Sequence, residues 1–199
     1  MTKPRLKETS IQPVFFIVGI GATGGIKACQ QFLGSLANDT GMAFVFIHHL
    51  SPTRESILAE IYGRATSMPA LEVKDGMQIR RNHVYVIPPN TRMGLCDGVL
   101  KLLPRLEQER LSFPIDFFFS SLAQDQEERA ISVILSGGGL DGTEGTKLIK
   151  LKGGMTFAQD PESANQGGMP SRAIAGANVD FILTPQEIAL KLSKINLTL

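Results

Sequence analysis

Residues 14–33 read VFFIVGIGATGGIKACQQFL: an apolar run, four glycines, then helical spacing. A buried strand, a glycine-rich turn and a helix in that order make the opening unit of a layered α/β sheet. The glycines raise a question of chemistry. Gly19-Ile20-Gly21-Ala22-Thr23-Gly24 has the literal form G-x-G-x-x-G, which between a strand and a helix cradles the pyrophosphate of a dinucleotide. The same kind of turn can instead expose a hydroxyl nucleophile at a helix N-terminus, where free backbone N–H groups stabilise an oxyanion. Thr23 is the hydroxyl available there.

Working outward, short apolar runs recur at 43–47 (AFVFI), 83–87 (HVYVI), 130–135 (AISVIL) and 155–158 (MTFA), and predict buried strands. Helical patterns lie between them: 25–36 with Ile26, Cys29, Phe32 and Leu33 on one face, 53–63, 115–128, and 143–151 with Leu148 and Leu151. The alternation predicts a doubly wound α/β fold, a mostly parallel sheet with helices on both faces. Residues 84–103 break the rhythm, since MGLCDGVLKL alternates across Asp97-Gly98 and predicts an antiparallel hairpin, hence a mixed sheet. Thr184-Pro185-Gln186-Glu187 joins an N-cap, a proline at the first helical position and a capping-box glutamate, so a last helix is expected over 185–195.

The 199 residues suffice for one domain, taken as 14–199 behind a polar, proline-containing and flexible lead-in over 1–13. A net charge of +1 with 20% charged residues offers no basic excess for nucleic acid or anionic lipid, and no apolar run is long enough for membrane insertion. Cys29 and Cys96 read as reduced structural thiols, and the cytoplasm is the expected compartment.

Ligands of such sheets bind beyond the carboxyl ends of the strands, so the segments 19–25, 48–52 and 136–142 are the places to search. A dinucleotide site needs an acidic residue ending the second strand; His48 and His49 stand there instead, which argues against nicotinamide or flavin. No further Cys, Asp or Glu is spaced to complete a metal site with them. The nucleophile reading fits better, with His49 as base and Asp141 as its orienter in a third loop. His48 should then face away from His49, because strand side chains alternate. His83, Ser51 and Ser136 are read as structural, the serines by capping and backbone hydrogen bonding.

As a set, VGIGATGGIKA, HHLSP, VYVIPP, PIDFFF, LSGGGLDGTEG, AQDPESA and GMPSRAI resemble the catalytic domain of the bacterial chemotaxis protein-glutamate methylesterases. The similarity runs from Val14 to about Thr184 and is strongest to the forms fused to methyltransferases. It implies hydrolysis of glutamyl methyl esters on chemoreceptors, with glutamine deamidation as a second family activity, by a Ser-His-Asp triad without metal or cofactor. It implies a methylated chemoreceptor or another chemosensory protein as partner. The family histidine falls on His49, with the preceding glutamine replaced by His48. The family aspartate falls on Asp141, and the oxyanion-hole amide on Gly138, with Gly24 at the turn. The family's Gly-Ala-Ser-(Thr or Ala)-Gly-Gly is one residue shorter here, Gly21-Ala22-Thr23-Gly24-Gly25, with the serine deleted. Two outcomes stay open: Thr23 supplies the hydroxyl, or the domain is an inactive binding module of the same fold.

Overall fold

The first strand, β1 (Ile17–Ala22), starts later than the apolar run predicts and carries Gly19 and Gly21 within it. Only Thr23, Gly24 and Gly25 remain as the turn before α1 (Ile26–Gly34), which corrects the expectation of a loop over 19–25. The glycines answer to packing. A Cβ on Gly19 would stand 2.8 Å from Phe119 Cε1, and one on Gly21 2.6 Å from Ile115 Cγ2. Both of those side chains belong to α3 (Pro114–Gln126), which lies across β1. The repeat that mimics a phosphate cradle is the floor on which a helix rests.

The computed structural model describes residues 15–49, 57–104, 113–177 and 179–195. After β1 and α1 come β2 (Ala43–His48), α2 (Leu58–Gly63), β3 (Ala70–Glu72), β4 (Met77–Gln78), β5 (His83–Val86), β6 (Thr91–Cys96) and β7 (Val99–Pro104). Beyond α3 follow β8 (Ala130–Ile134), α4 (Thr143–Leu151), β9 (Met155–Gln159), α5 (Gly168–Ala177), β10 (Phe181–Leu183) and α6 (Pro185–Leu192). The lead-in 1–13, Ser51 and the start of the helix expected over 53–63 lie outside the described residues.

The seven-stranded sheet runs β10-β9-β8-β1-β2-β5-β3, and every pairing in it is parallel. From β1 the chain winds outward through β2, and later from β8 outward through β9 and β10. The direction of winding therefore reverses between β1 and β8, the kind of place where such sheets open a crevice. Apolar side chains fill both faces: α1, α2 and α6 pack on one, α3, α4 and α5 on the other.

The hairpin forms where expected, with Asp97 and Gly98 at φ 51° and 71°. Both being positive, they match the right-handed twist of the flanking strands. It does not enter the main sheet. With β4 it makes a separate antiparallel sheet, order β4-β7-β6, held against α3, so one mixed sheet is corrected to two. The physical tie is local: the Asp125 carboxylate on α3 accepts from the N–H groups of Asp97 and Gly98 at the hairpin tip. The capping box at Thr184 and Glu187 is present, with Glu187 Oε2 accepting from Thr184 N–H at 2.9 Å. On α4 the expected apolar face is off by part of a turn: Ile149 is buried, whereas Leu151 is 74% exposed.

Candidate active site

His49 follows the last residue of β2, and Asp141 lies in the segment between β8 and α4. Because β1 separates β2 from β8 by one strand, these two ends face each other across the first turn. His49 Nε2 lies 2.7 Å from Asp141 Oδ2, with the imidazole 32% exposed and the carboxylate 5% exposed. An ionised carboxylate only accepts, so Nε2 carries a proton here, and in the neutral imidazole Nδ1 is then the nitrogen with the lone pair. That is the form of a general base.

What holds Asp141 is the start of α3. This helix has Phe113 at its N-cap and Pro114 in its first turn, so it has no capping side chain of its own. Proline removes one amide from the free set, and the next two are taken by a distant residue: Ile115 N–H donates to Asp141 Oδ2 and Asp116 N–H to Oδ1, each at 2.9 Å. The positive end of the helix dipole stabilises the carboxylate there. These donors escape a motif search. Their one sequence signal is that Phe113, and not Ser, Thr, Asp or Asn, stands directly before the helix-opening Pro114.

The turn carrying Thr23 is pinned on its far side. Thr23 N–H donates to the Ser136 carbonyl at 3.2 Å, and a Cβ on Gly25 would stand 2.5 Å from the same oxygen. Thr23 Oγ1 is directed at Met169 Sδ, 3.8 Å away, rather than at His49. Met169, on α5, is a neighbour the sequence gives no reason to name. Gly137 N–H is engaged with the Gln166 carbonyl, whereas among the described residues the N–H groups of Gly24 and Gly138 have no protein acceptor. An amide left without a protein acceptor is a donor of the kind that an oxyanion requires. Ser136 is structural as expected: its Oγ accepts from Gln166 N–H at 3.1 Å.

His48 turns to the opposite face. It is buried, its Nε2 lies 2.7 Å from the Tyr62 hydroxyl, and it is hydrogen-bonded to the backbone of Ala22 at the end of β1. Burial drives its pKa down to about 4, with the Ala22 bond opposing and His49 adding slightly to the fall. His48 is therefore neutral at pH 7, and its hydrogen bond to the Ala22 backbone ties it to the strand end from which the Thr23 turn departs. Beyond it, Tyr62 reaches Cys29, whose thiol is pushed up to about 12 by burial. The two adjacent histidines cannot chelate one ion from opposite faces. His83 sits apart, at the start of β5, with Nδ1 on the Arg81 carbonyl at 2.7 Å.

Comparison with known proteins finds similarity over most of the chain. The CheB methylesterase family model matches residues 18–192. A putative protein-glutamate methylesterase/protein-glutamine glutaminase of Leptospira interrogans is 30% identical over 87% of this chain and 90% of its own length. A protein-glutamate methylesterase/protein-glutamine glutaminase of Paramagnetospirillum magneticum is 32% identical over 96% of this chain, which spans only 51% of that protein. An uncharacterized 104.1 kDa protein of Rhodobacter capsulatus is 41% identical over 66% of this chain and 14% of its own length. The crystal structure of the Thermotoga maritima CheB methylesterase catalytic domain superposes with a TM-score of 0.84 at 27% identity, covering 92% of this chain and 99% of that one.

Proposed function

The chain belongs to the CheB methylesterase family, and on that premise we propose that it is a carboxylic ester hydrolase of the protein-glutamate methylesterase type, acting on glutamyl methyl esters of a chemoreceptor or another chemosensory protein. The observation that carries the reading is the 2.7 Å contact of His49 Nε2 with Asp141 Oδ2 at the point where the sheet reverses its winding. In this scheme Nδ1 of His49 takes the proton of an attacking hydroxyl, and the amides of Gly24 and Gly138 receive the carbonyl oxygen as it becomes negative. The imidazolium returns the proton to the departing methoxide, giving methanol. Water then repeats the attack on the acyl-enzyme, regenerating the hydroxyl and leaving a glutamate carboxylate.

Thr23 is the hydroxyl placed at the nucleophile turn, but its branched Cβ limits χ1 and its Oγ1 rests on Met169 Sδ. That contact favours a second reading, a binding module of the same fold without turnover. Methanol release from a peptide bearing a γ-glutamyl methyl ester tests both. Slow turnover is expected, lost by roughly 10²-fold or more in His49→Gln, since a positioned base contributes about that much. A large loss in Thr23→Val, which keeps the side-chain shape without the hydroxyl, makes Thr23 the nucleophile. No change in that variant, together with a gain on inserting serine between Ala22 and Thr23, establishes the binding module. No turnover in either the native or the serine-inserted chain sinks the hydrolase reading.

A further inference from the structure

Asp116 touches the candidate site from both flanks of Asp141. Its own N–H donates to Asp141 Oδ1 at 2.9 Å, while its side-chain Oδ1 accepts from Gly145 N–H at 2.7 Å, in the first turn of α4. Neither α3, with Phe113 at its N-cap, nor α4, with Gly142 there, has a side-chain cap of its own. Each helix start is instead closed by an aspartate from the other segment: Asp141 closes α3 and Asp116 closes α4. The joint has no slack. A Cβ on Gly145 would stand 2.5 Å from Phe119 Cβ and 3.1 Å from the Asp116 Cα, and one on Gly142 2.5 Å from Ile134 Cδ1.

We propose that Asp116 is a positioning residue for the His49–Asp141 pair, holding Asp141 through its own N–H, tying the start of α4 beyond Asp141 to α3 through its side chain, and acting through its charge on the proton affinity of His49. The assignment rests on the reading of His49 as base and Asp141 as its orienter. The charged groups facing Asp116 are Asp141, just before α4, and Glu144, on α4, both negative; His49 lies beyond Asp141. Beneath α3, β1 presents Gly19 and Gly21 and no charge, and Arg92 on β6 is stacked over the Phe117 ring. Burial foremost, then the Asp141 charge, raise the Asp116 carboxyl to about 6, against the opposing Gly145 hydrogen bond. Asp116 thus changes charge in the pH range where a histidine base loses its proton. Its ionised form adds negative potential behind Asp141 and favours the imidazolium; its neutral form withdraws that support.

The test follows the ring nitrogens of His49 by NMR during a pH titration of the whole chain, with His48→Gln and His83→Gln for assignment. Asp116→Asn keeps an oxygen for Gly145 N–H and deletes the charge. It is expected to lower the His49 midpoint, because a negative charge behind Asp141 is removed. An unchanged midpoint in a folded variant overturns the electrostatic role. Should that variant fail to fold, the native protein decides: the Asp116 carboxyl carbon and the His49 ring must each show an inflection at the other's midpoint, and independent single transitions overturn the coupling. For positioning, Asp116→Ala should speed solvent exchange of the ring proton shared with Asp141 by about tenfold, the loss of one hydrogen bond, and Asp116→Asn should restore it. Equal exchange in all three chains removes that role. None of these readouts requires ester hydrolysis, so absent turnover counts against the proposed function alone.

Discussion

Successive side chains on β2 point to opposite faces, and this alone sends His48 into the core and leaves His49 at the carboxyl edge. The His48 pKa falls from 6.5 to about 4, so between those values the unfolded chain binds a proton that the folded chain refuses. Stability from this group is complete above pH 6.5 and is lost as pH falls towards about 4, up to roughly 3 kcal/mol at 1.36 kcal/mol per unit. A glutamine in its place can accept from Tyr62 and donate to the Ala22 carbonyl without titrating. Urea unfolding of His48→Gln at pH 4.5 and 7.5 should therefore show a smaller acid loss than the native chain; an equal loss would mean that His48 is not the neutral, buried group described. Asp116 pulls the other way, because a carboxyl raised to about 6 costs stability as pH rises through that window. The two slopes overlap, and for that reason the comparison is made between variants rather than on the native curve alone.

At the level of elements, the seating of α3 on β1 carries both packing and chemistry. Gly21 leaves room for Ile115, and the Ile115 amide is one of the two that hold Asp141. Gly21→Ala would place a Cβ 2.6 Å from Ile115 Cγ2, a methyl on a β-branched side chain whose χ1 is stiff in a helix. Overpacking of this kind costs about 1–3 kcal/mol, more than the fraction gained by replacing a strand glycine with alanine. A net loss of stability is expected in urea, with weakened protection of the Ile115 and Asp116 amides by hydrogen exchange. Stability at or above that of the native chain would show that α3 is not seated on the glycine. The turn on the other side of β1 is equally constrained, since Thr23 N–H is bonded to Ser136 and Gly137 would meet Thr23 N at 2.9 Å if it bore a Cβ. An inserted serine must displace that contact or lift the start of α1.

For the whole molecule, the buried centre of the sheet and its exposed margins should open separately. Every residue of β1, β2 and β8 is buried, whereas edge strands β3 and β10 are half-buried to exposed. Native-state hydrogen exchange should find β1, β2 and β8 opening only with global unfolding, and β3, β10 and the hairpin sheet at lower free energy. Fast exchange in β1 would contradict the placement of the site on the rigid centre. Much of this architecture was readable in sequence because its signals are local: the Asp97-Gly98 tip needs only its own backbone angles, and the Thr184 capping box closes within four residues. The apolar strand runs, the family resemblance, and His49 and Asp141 as partners belong to the same class, for strand order and alternation place them without any side-chain detail. Other features depend on contacts between distant segments. The use of Gly19 and Gly21 as a floor depends on Phe119 and Ile115, about a hundred residues away along the chain. The closure of α3 by Asp141, the half-burial of Asp116 and the turning of the Thr23 hydroxyl towards Met169 are likewise settled across long separations. The fold class and the strand ends that carry polar residues were legible in the chain alone, because periodicity and turn chemistry are properties of neighbours, and the family was legible in the order of its motifs. Only the tertiary structure decided what each of those residues touches, because packing density and desolvation arise where segments remote in the chain meet.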